Sequence, residues 1–236
     1  MSQAITYTRR EGIAEIVLDD GKVNAMAAAF FLELNAALDR VEGDDNRALV
    51  VVGRPGYLSA GLNIKLLPTL PPDDFQRTLL TFGRTLLRVW TFPLPTVAAV
   101  TGHAIAGGAL LAFACDRRFV ADGPFRIHMN ESVIGLALPS FAIAICQSVM
   151  PAHCQNEALL HAKPYTPAEA LACGMVDDVV PPDRVIARAR EAAAALTGLD
   201  RTAYAVSKQR LRSRAAAWAE QHLEAEMRGR PLGADS

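Results

Sequence analysis

Several things are missing from this sequence, and each absence removes a class of protein. Of 236 residues only four are cysteine (Cys115, Cys146, Cys154 and Cys173), and none stands in a C-x-x-C pair. That scatter offers neither a zinc spacing nor a disulfide framework, and it fits a reduced, intracellular setting. No charge sign is in surplus: 24 basic residues face 25 acidic ones, for a net charge of −1. A general nucleic-acid or polyanion binder carries a basic excess, so that class is disfavoured. A small anionic ligand held by a few local groups is still allowed. The N-terminus MSQAITYTRR has no apolar h-region, so no signal peptide is expected. Long hydrophobic runs are lacking as well. The longest, 104–115, is broken by Gly107 and Gly108 and stops at Asp116, too short to cross a bilayer. The expectation is a cytoplasmic protein with no membrane partner. There is no internal repeat, no low-complexity linker and no G-x-S-x-G elbow, which leaves Ser59 without the setting of a nucleophile.

What is present is a large apolar fraction, 51%, enough to bury a sizeable core. Segments 4–9 and 13–18 are β-branched runs around Glu11-Gly12 and predict a hairpin. Over 27–41, Phe30, Phe31, Leu34, Ala37, Leu38 and Val41 recur at helical spacing. Residues 48–52 are a continuous apolar run, as expected of a strand covered on both faces, and 96–100 (TVAAV) read as another buried strand. A long helix is predicted over 73–90, entered after Pro71-Pro72 and closed before Pro93 and Pro95. A buried helix over 107–115, a strand over 118–120 and an apolar helix opened by Pro139 follow. Thr166-Pro167-Ala168-Glu169 reads as an N-cap with proline first and a carboxylate third, and Cys173-Gly174 ends that helix. A short strand over 176–180 precedes an Ala/Arg-rich helix from Pro181 to Leu196, and a last helix runs over 201–227. The tail 229–236 is expected to fray. Strand and helix alternate early and helices dominate late, so the fold class is α/β with parallel strands and a helical C-terminal extension.

Three stretches can carry chemistry. YLSAGLNIK (57–65) follows a buried strand, and its small residues Ser59, Ala60 and Gly61 let a ligand approach the backbone. TGHAIAGGA (101–109) also runs from a strand into a helix, whose first N–H groups are free to bind an oxyanion. RIHMNESVIGLALP (126–139) sets one carboxylate, Glu131, among Ile127, Met129, Val133, Ile134, Leu136 and Leu138. An acid there is either exposed by a turn or kept from water for chemistry. His103 and Asp116 read as structural, the latter as an ion pair or helix-end contact beside Arg117 and Arg118, and Cys115 reads as core.

Those stretches, with Lys22-Val-Asn-Ala25, the run from Pro95 to Asp116 and Thr166-Pro-Ala-Glu-Ala-Leu-Ala-Cys-Gly-Met-Val-Asp177, resemble the crotonase family, the enoyl-CoA hydratase/isomerase superfamily. The resemblance covers almost the whole chain, in order. It implies a crotonase-like spiral of ββα units over 1–180 with an acyl-CoA site. Residues 181–236 would form a helical region for trimer or hexamer formation that also closes the CoA site. It implies no resident cofactor, coenzyme A entering with the substrate. It also implies an oxyanion hole from the N–H groups of Ala60 and Gly107, and substrate contacts from Lys22, Asn24, Ala25, Gly61, Asn63, Ile64, Leu110, His128 and Phe141. Lys22, Lys65 and Lys208 or Arg212 are candidates for CoA phosphates.

The family's hydratases use two glutamates. At the first of those positions this sequence has Leu110, which can neither hold water nor move a proton; only Glu131 is an acid. Its setting, Arg126-Ile-His-Met-Asn-Glu131-Ser-Val-Ile-Gly135, resembles the Δ3,Δ2-enoyl-CoA isomerase branch, which implies Glu131 as the single acid/base. A hydratase working with one glutamate, its water held by His128 or the backbone, and a non-catalytic acyl-CoA-binding homologue are the alternatives. Asn63 stands where the family pattern has Asp. His128 stands where it has Gly, either beside Glu131 or on the surface of a strand.

Overall fold

The computed structural model describes residues 4–228. The tail expected to fray lies outside the described residues. Four strand–strand–helix units follow one another. They are β1 (Ile5–Arg10), β2 (Ile13–Leu18) and α1 (Ala28–Gly43); β3 (Ala48–Val52), β4 (Gly56–Ser59) and α2 (Pro72–Trp90); β5 (Thr96–Val100), β6 (Gly102–Ile105) and α3 (Gly107–Ala114); and β7 (Arg117–Ala121), β8 (Ile127–His128) and α4 (Ser140–Gln147). After them come α5 (Ala152–Gln155), one π-helical turn (Asn156–Leu160), α6 (Pro167–Ala172), β9 (Asp178–Val180), α7 (Val185–Leu196) and α8 (Arg201–Glu226). The strands form two sheets, one ordered β1-β2-β3-β5-β7-β9 and a smaller one ordered β4-β6-β8. Only β1 and β2 pair antiparallel. The first unit lays both strands in the larger sheet and the next three lay one strand in each, and every unit then crosses by a helix, so the chain winds as the expected spiral of ββα turns.

The apolar runs at 48–52 and 96–100 are wholly buried because both faces of the larger sheet are covered. Side chains alternate across a strand. Leu49, Val51, Ala98 and Val100 therefore join the main core with α1 to α4. Val50, Val52, Val97 and Ala99 join a second core with Val185, Ala189, Ala192 and Ala193 of α7. Each Val or Leu so buried contributes about 1.5–3 kcal/mol. Helix α6 begins with the predicted capping box, Thr166 and Glu169 satisfying each other's backbone N–H groups.

Two expectations need correction. Residues 56–59, 102–105 and 127–128 form a second sheet, where the glycine-bearing stretches by themselves suggested turns. Four residues or fewer per strand give too little apolar alternation to read as a strand. The cysteines are also not all unpaired: Cys154, in α5, is bonded to Cys173 at the end of α6, with Cα atoms 6.6 Å apart. Sequence spacing carries no sign of a pair that only the packing of α5 on α6 creates. Cys115 and Cys146 are free and buried. Among the described residues no helix is long and apolar enough to cross a membrane.

Candidate active site

Strands β4, β6 and β8 lie side by side and parallel, so the residues that follow them emerge at one edge of the small sheet. Those residues belong to the three stretches singled out above.

The loop after β4 is knitted from beneath. Asn24 is buried and left-handed (φ 51°), its amide donating to Leu18 O at 2.8 Å and Leu58 O at 3.0 Å. Ser59 donates its hydroxyl to Asn24 O (2.6 Å) and accepts from Gly61 N (3.0 Å), a structural role. Met26 N donates to Gly61 O and Asn63 N to Met26 O, both at 2.8 Å, making a parallel bridge between Met26 and Leu62. Asn63 also accepts from Leu66 N at 3.1 Å and so supports the turn. Gly61 has φ 82°, and a β-carbon there would stand 2.8 Å from Ile105 O and 3.1 Å from Gly107 N. Glycine is what lets the two loops meet.

Here the sequence expectation is corrected. The N–H of Ala60 is taken by Val23 O at 2.9 Å. The group left without an acceptor among the described residues is the N–H of Leu62. The bridge uses the peptide groups on either side of Leu62, so its own N–H points away from Met26. Nothing in the sequence marks which residue of the loop takes part in that bridge.

After β6, Ala106 adopts φ 47° and ψ −115°, a strained conformation for a residue with a β-carbon. It is held by its N–H bond to His128 O (2.7 Å) on β8. The strain turns the chain into α3, whose first N–H, that of Gly107, has no acceptor among the described residues. Two unpaired N–H groups thus lie on adjoining loops.

Glu131 begins a single 3-10 turn after β8 and is only 8% exposed. Burial pushes its carboxyl above the ordinary range, partly offset by its own backbone N–H. Its Oε2 is buried without a partner, as is Oδ1 of Asn130 beside it. Val133 and Ile134 are exposed. Leu110 is buried in α3, and Phe141 of α4 is buried with its ring edge-on to Phe82, centroids 5.4 Å apart. Cys146, also in α4, has its thiol pushed up by burial and by the Glu131 charge.

The remaining candidates divide. Ala25 is half-buried and Lys22 exposed on the loop between β2 and α1, and Ile64 and Lys65 are exposed on the loop that carries Gly61. His128 places Nε2 2.8 Å from Ala162 O, so its ring is tied to the segment after the π turn and its contribution to the loops is its backbone carbonyl. Lys208 and Arg212 are not free for phosphates: both bind Asp116, at 2.8 and 2.9 Å. Asp116 is structural as expected, but through α8, while Arg117 and Arg118 pair with Asp177. His103 is structural, its Nδ1 accepting from Arg126 N at 3.1 Å.

Chemically, two unpaired N–H groups can hold an oxyanion, and a desolvated carboxylate can take and return a proton. A family model described as enoyl-CoA hydratase/isomerase matches residues 8–230. The chain is 32% identical over 182 residues to mitochondrial enoyl-CoA delta isomerase 1 of Mus musculus, a match covering 76% of this chain and 63% of that protein. It therefore spans just under two thirds of that relative's length. It is 34% identical over 183 residues to a putative enoyl-CoA hydratase of Thermus thermophilus, covering 75% of this chain and 72% of the other. The structure resembles that of an enoyl-CoA isomerase from Mycobacterium tuberculosis, with TM-score 0.89, 36% identity and coverage of 96% and 98%.

Proposed function

Because the chain belongs to the enoyl-CoA hydratase/isomerase family, we propose that it moves the double bond of a 3-enoyl-CoA into conjugation, giving the 2-enoyl-CoA. The Glu131 carboxylate removes a proton from C2. The C–H electron pair becomes a new bond between C1 and C2, and the thioester oxygen takes the charge of the resulting dienolate. The N–H groups of Leu62 and Gly107 hold that oxygen; each such donor is worth about 2.7–4 kcal/mol. Glu131, now protonated, returns the proton at C4, which leaves the double bond between C2 and C3. The step conserves electrons, so it calls for no redox carrier. The exposed ammonium groups of Lys22 and Lys65 are the candidates for CoA phosphates. A homotrimer is proposed with it: α8 leaves Leu211 and Trp218 exposed, an apolar face for a second copy.

The observation that carries the reading is a lone buried carboxyl with no second acid, Leu110 filling the position where a hydratase needs one. A raised carboxyl basicity makes Glu131 a better base, and an apolar wall keeps water from the dienolate. The test is ultraviolet absorbance of the conjugated thioester. A rise with a 3-enoyl-CoA and no fall with a 2-enoyl-CoA is the expected result. A fall with the 2-enoyl-CoA means hydration, and silence in both with retained CoA binding means a non-catalytic homologue; either overturns the proposal.

A further inference from the structure

Helix α4 starts without a cap of its own. Pro139 occupies the capping position and offers no side-chain acceptor. The first residue, Ser140, is served instead from the far end of the chain. Glu226, the last residue of α8, accepts from the Ser140 N–H at 2.8 Å, and its other oxygen takes the Ser140 hydroxyl. A carboxylate there satisfies an otherwise orphaned donor and complements the positive end of the helix.

The contact is part of a tight junction. A β-carbon on Gly83 of α2 would stand 2.5 Å from Cδ1 of Leu223, which lies one turn before Glu226, and 3.2 Å from Cε1 of Phe141. Phe141 meets Phe82 edge-on, and a β-carbon on Gly107 would stand 3.2 Å from Cε2 of Phe82. A continuous set of contacts therefore runs from Glu226 through Ser140, Phe141 and Phe82 to Gly107, the residue whose N–H is unpaired. On its other side, Ser140 ends the segment 131–139 that begins with Glu131.

We propose that Glu226 is a positioning residue. It anchors the start of α4 and thereby sets the Phe141–Phe82 wall against Gly107, governing how a long acyl chain is seated. The inference rests on the acyl-CoA reading of this site, and its test separates the two. In the full-length protein, E226A, E226Q and S140A are compared with the parent by calorimetric binding of hexanoyl-CoA and dodecanoyl-CoA, which needs no turnover. E226A should weaken dodecanoyl-CoA about ten-fold, the scale of a lost cap, and hexanoyl-CoA about two-fold or less. E226Q, which keeps an acceptor for the Ser140 N–H, should recover most of the loss. Equal losses with both probes, or none with either, overturn the inference. If the parent binds neither probe, the acyl-CoA reading fails, and amide exchange then decides. E226A should speed exchange at the start of α4 and at Leu110, whose N–H bonds Ala106 O in the first turn of α3; rates equal to the parent's there also overturn it.

Discussion

Helix α3 has two ends in opposite conditions, and each has its own buried carboxyl. At the N-terminal end the backbone is strained at Ala106, the Gly107 N–H has no acceptor, and the carboxyl across the small sheet, Glu131, has a bare oxygen. Just past the C-terminal end stands Asp116, and every part of it is engaged. It accepts from Thr96 N (2.8 Å), Thr96 Oγ1 (3.0 Å), Tyr204 (2.7 Å), Lys208 (2.8 Å) and Arg212 (2.9 Å). A surface hollow of about 230 Å³ opens here, but its charged lining, Asp116, Lys208 and Arg212, is already paired. The two carboxyls shift in opposite directions. Burial raises Glu131, and only its own backbone N–H works against that. Burial would raise Asp116 too, but the charges of Lys208 and Arg212 outweigh it and hold it low. Two cations share that one anion, so burial in turn draws Lys208 below its usual range. The end with every group satisfied fastens α8 to the core, while the end with groups to spare is where a ligand can complete the set.

Substitution should break this contrast most sharply at Glu131. Glu131→Gln keeps the shape and removes the base; turnover of a 3-enoyl-CoA should fall about 10³-fold or more, within the range of a lost acid/base group. Acyl-CoA binding should survive, and unchanged turnover would remove Glu131 from the mechanism. At the other end, Asp116→Ala should leave chemistry per folded molecule intact and cost about 3–5 kcal/mol in urea unfolding, because Lys208 is left buried without a counter-ion. A loss below about 1 kcal/mol would show that the cluster is not the fastening described. A smaller effect on stability is expected at Gly61→Ala. The added methyl meets Ile105 O in a left-handed conformation, at a strain of about 1–3 kcal/mol. It also parts the two donor loops, so kcat/KM should fall about 10²-fold. Normal kinetics in that variant would mean the loops need not touch.

How much of this was legible in the sequence follows the same division. Long periodic or continuous apolar runs gave α1, α2, β3 and β5 to within a residue or two at each end, because burial on one stripe or on both faces leaves a pattern. The acid at 131 was legible because charge is rare among apolar neighbours. The donor at Leu62 was not, since which N–H is free depends on a bridge to Met26 that has no side-chain signature. Lys208 and Arg212 looked like free cations because their partner is 92 and 96 positions away in the chain, at Asp116. Cys154 and Cys173 were missed for the same reason: proximity made by packing leaves no mark in spacing.

The smallest effect tests the opposite shifts directly, through the pH dependence of stability. A buried carboxyl whose folded pKa is raised holds its proton in the native state after the unfolded chain has lost it. Stability then falls as pH rises from the ordinary carboxylate value through the folded one, and above that the whole penalty is present. That is the Glu131 case. Asp116 has the reverse sign: its contribution is complete above the ordinary carboxylate range and is lost as pH falls through its depressed folded value. At neutral pH, Glu131→Gln should therefore stabilise the fold by about 1 kcal/mol, the usual size for relief of a functional strain, while it lowers turnover. The gain should disappear in acid, where the parent's Glu131 is itself protonated. Urea unfolding of parent and variant across the acid-to-neutral range measures the difference. A variant no more stable than the parent at neutral pH would mean that the charged carboxylate finds a partner in the folded protein, and Glu131 would then belong with Asp116 rather than opposite it.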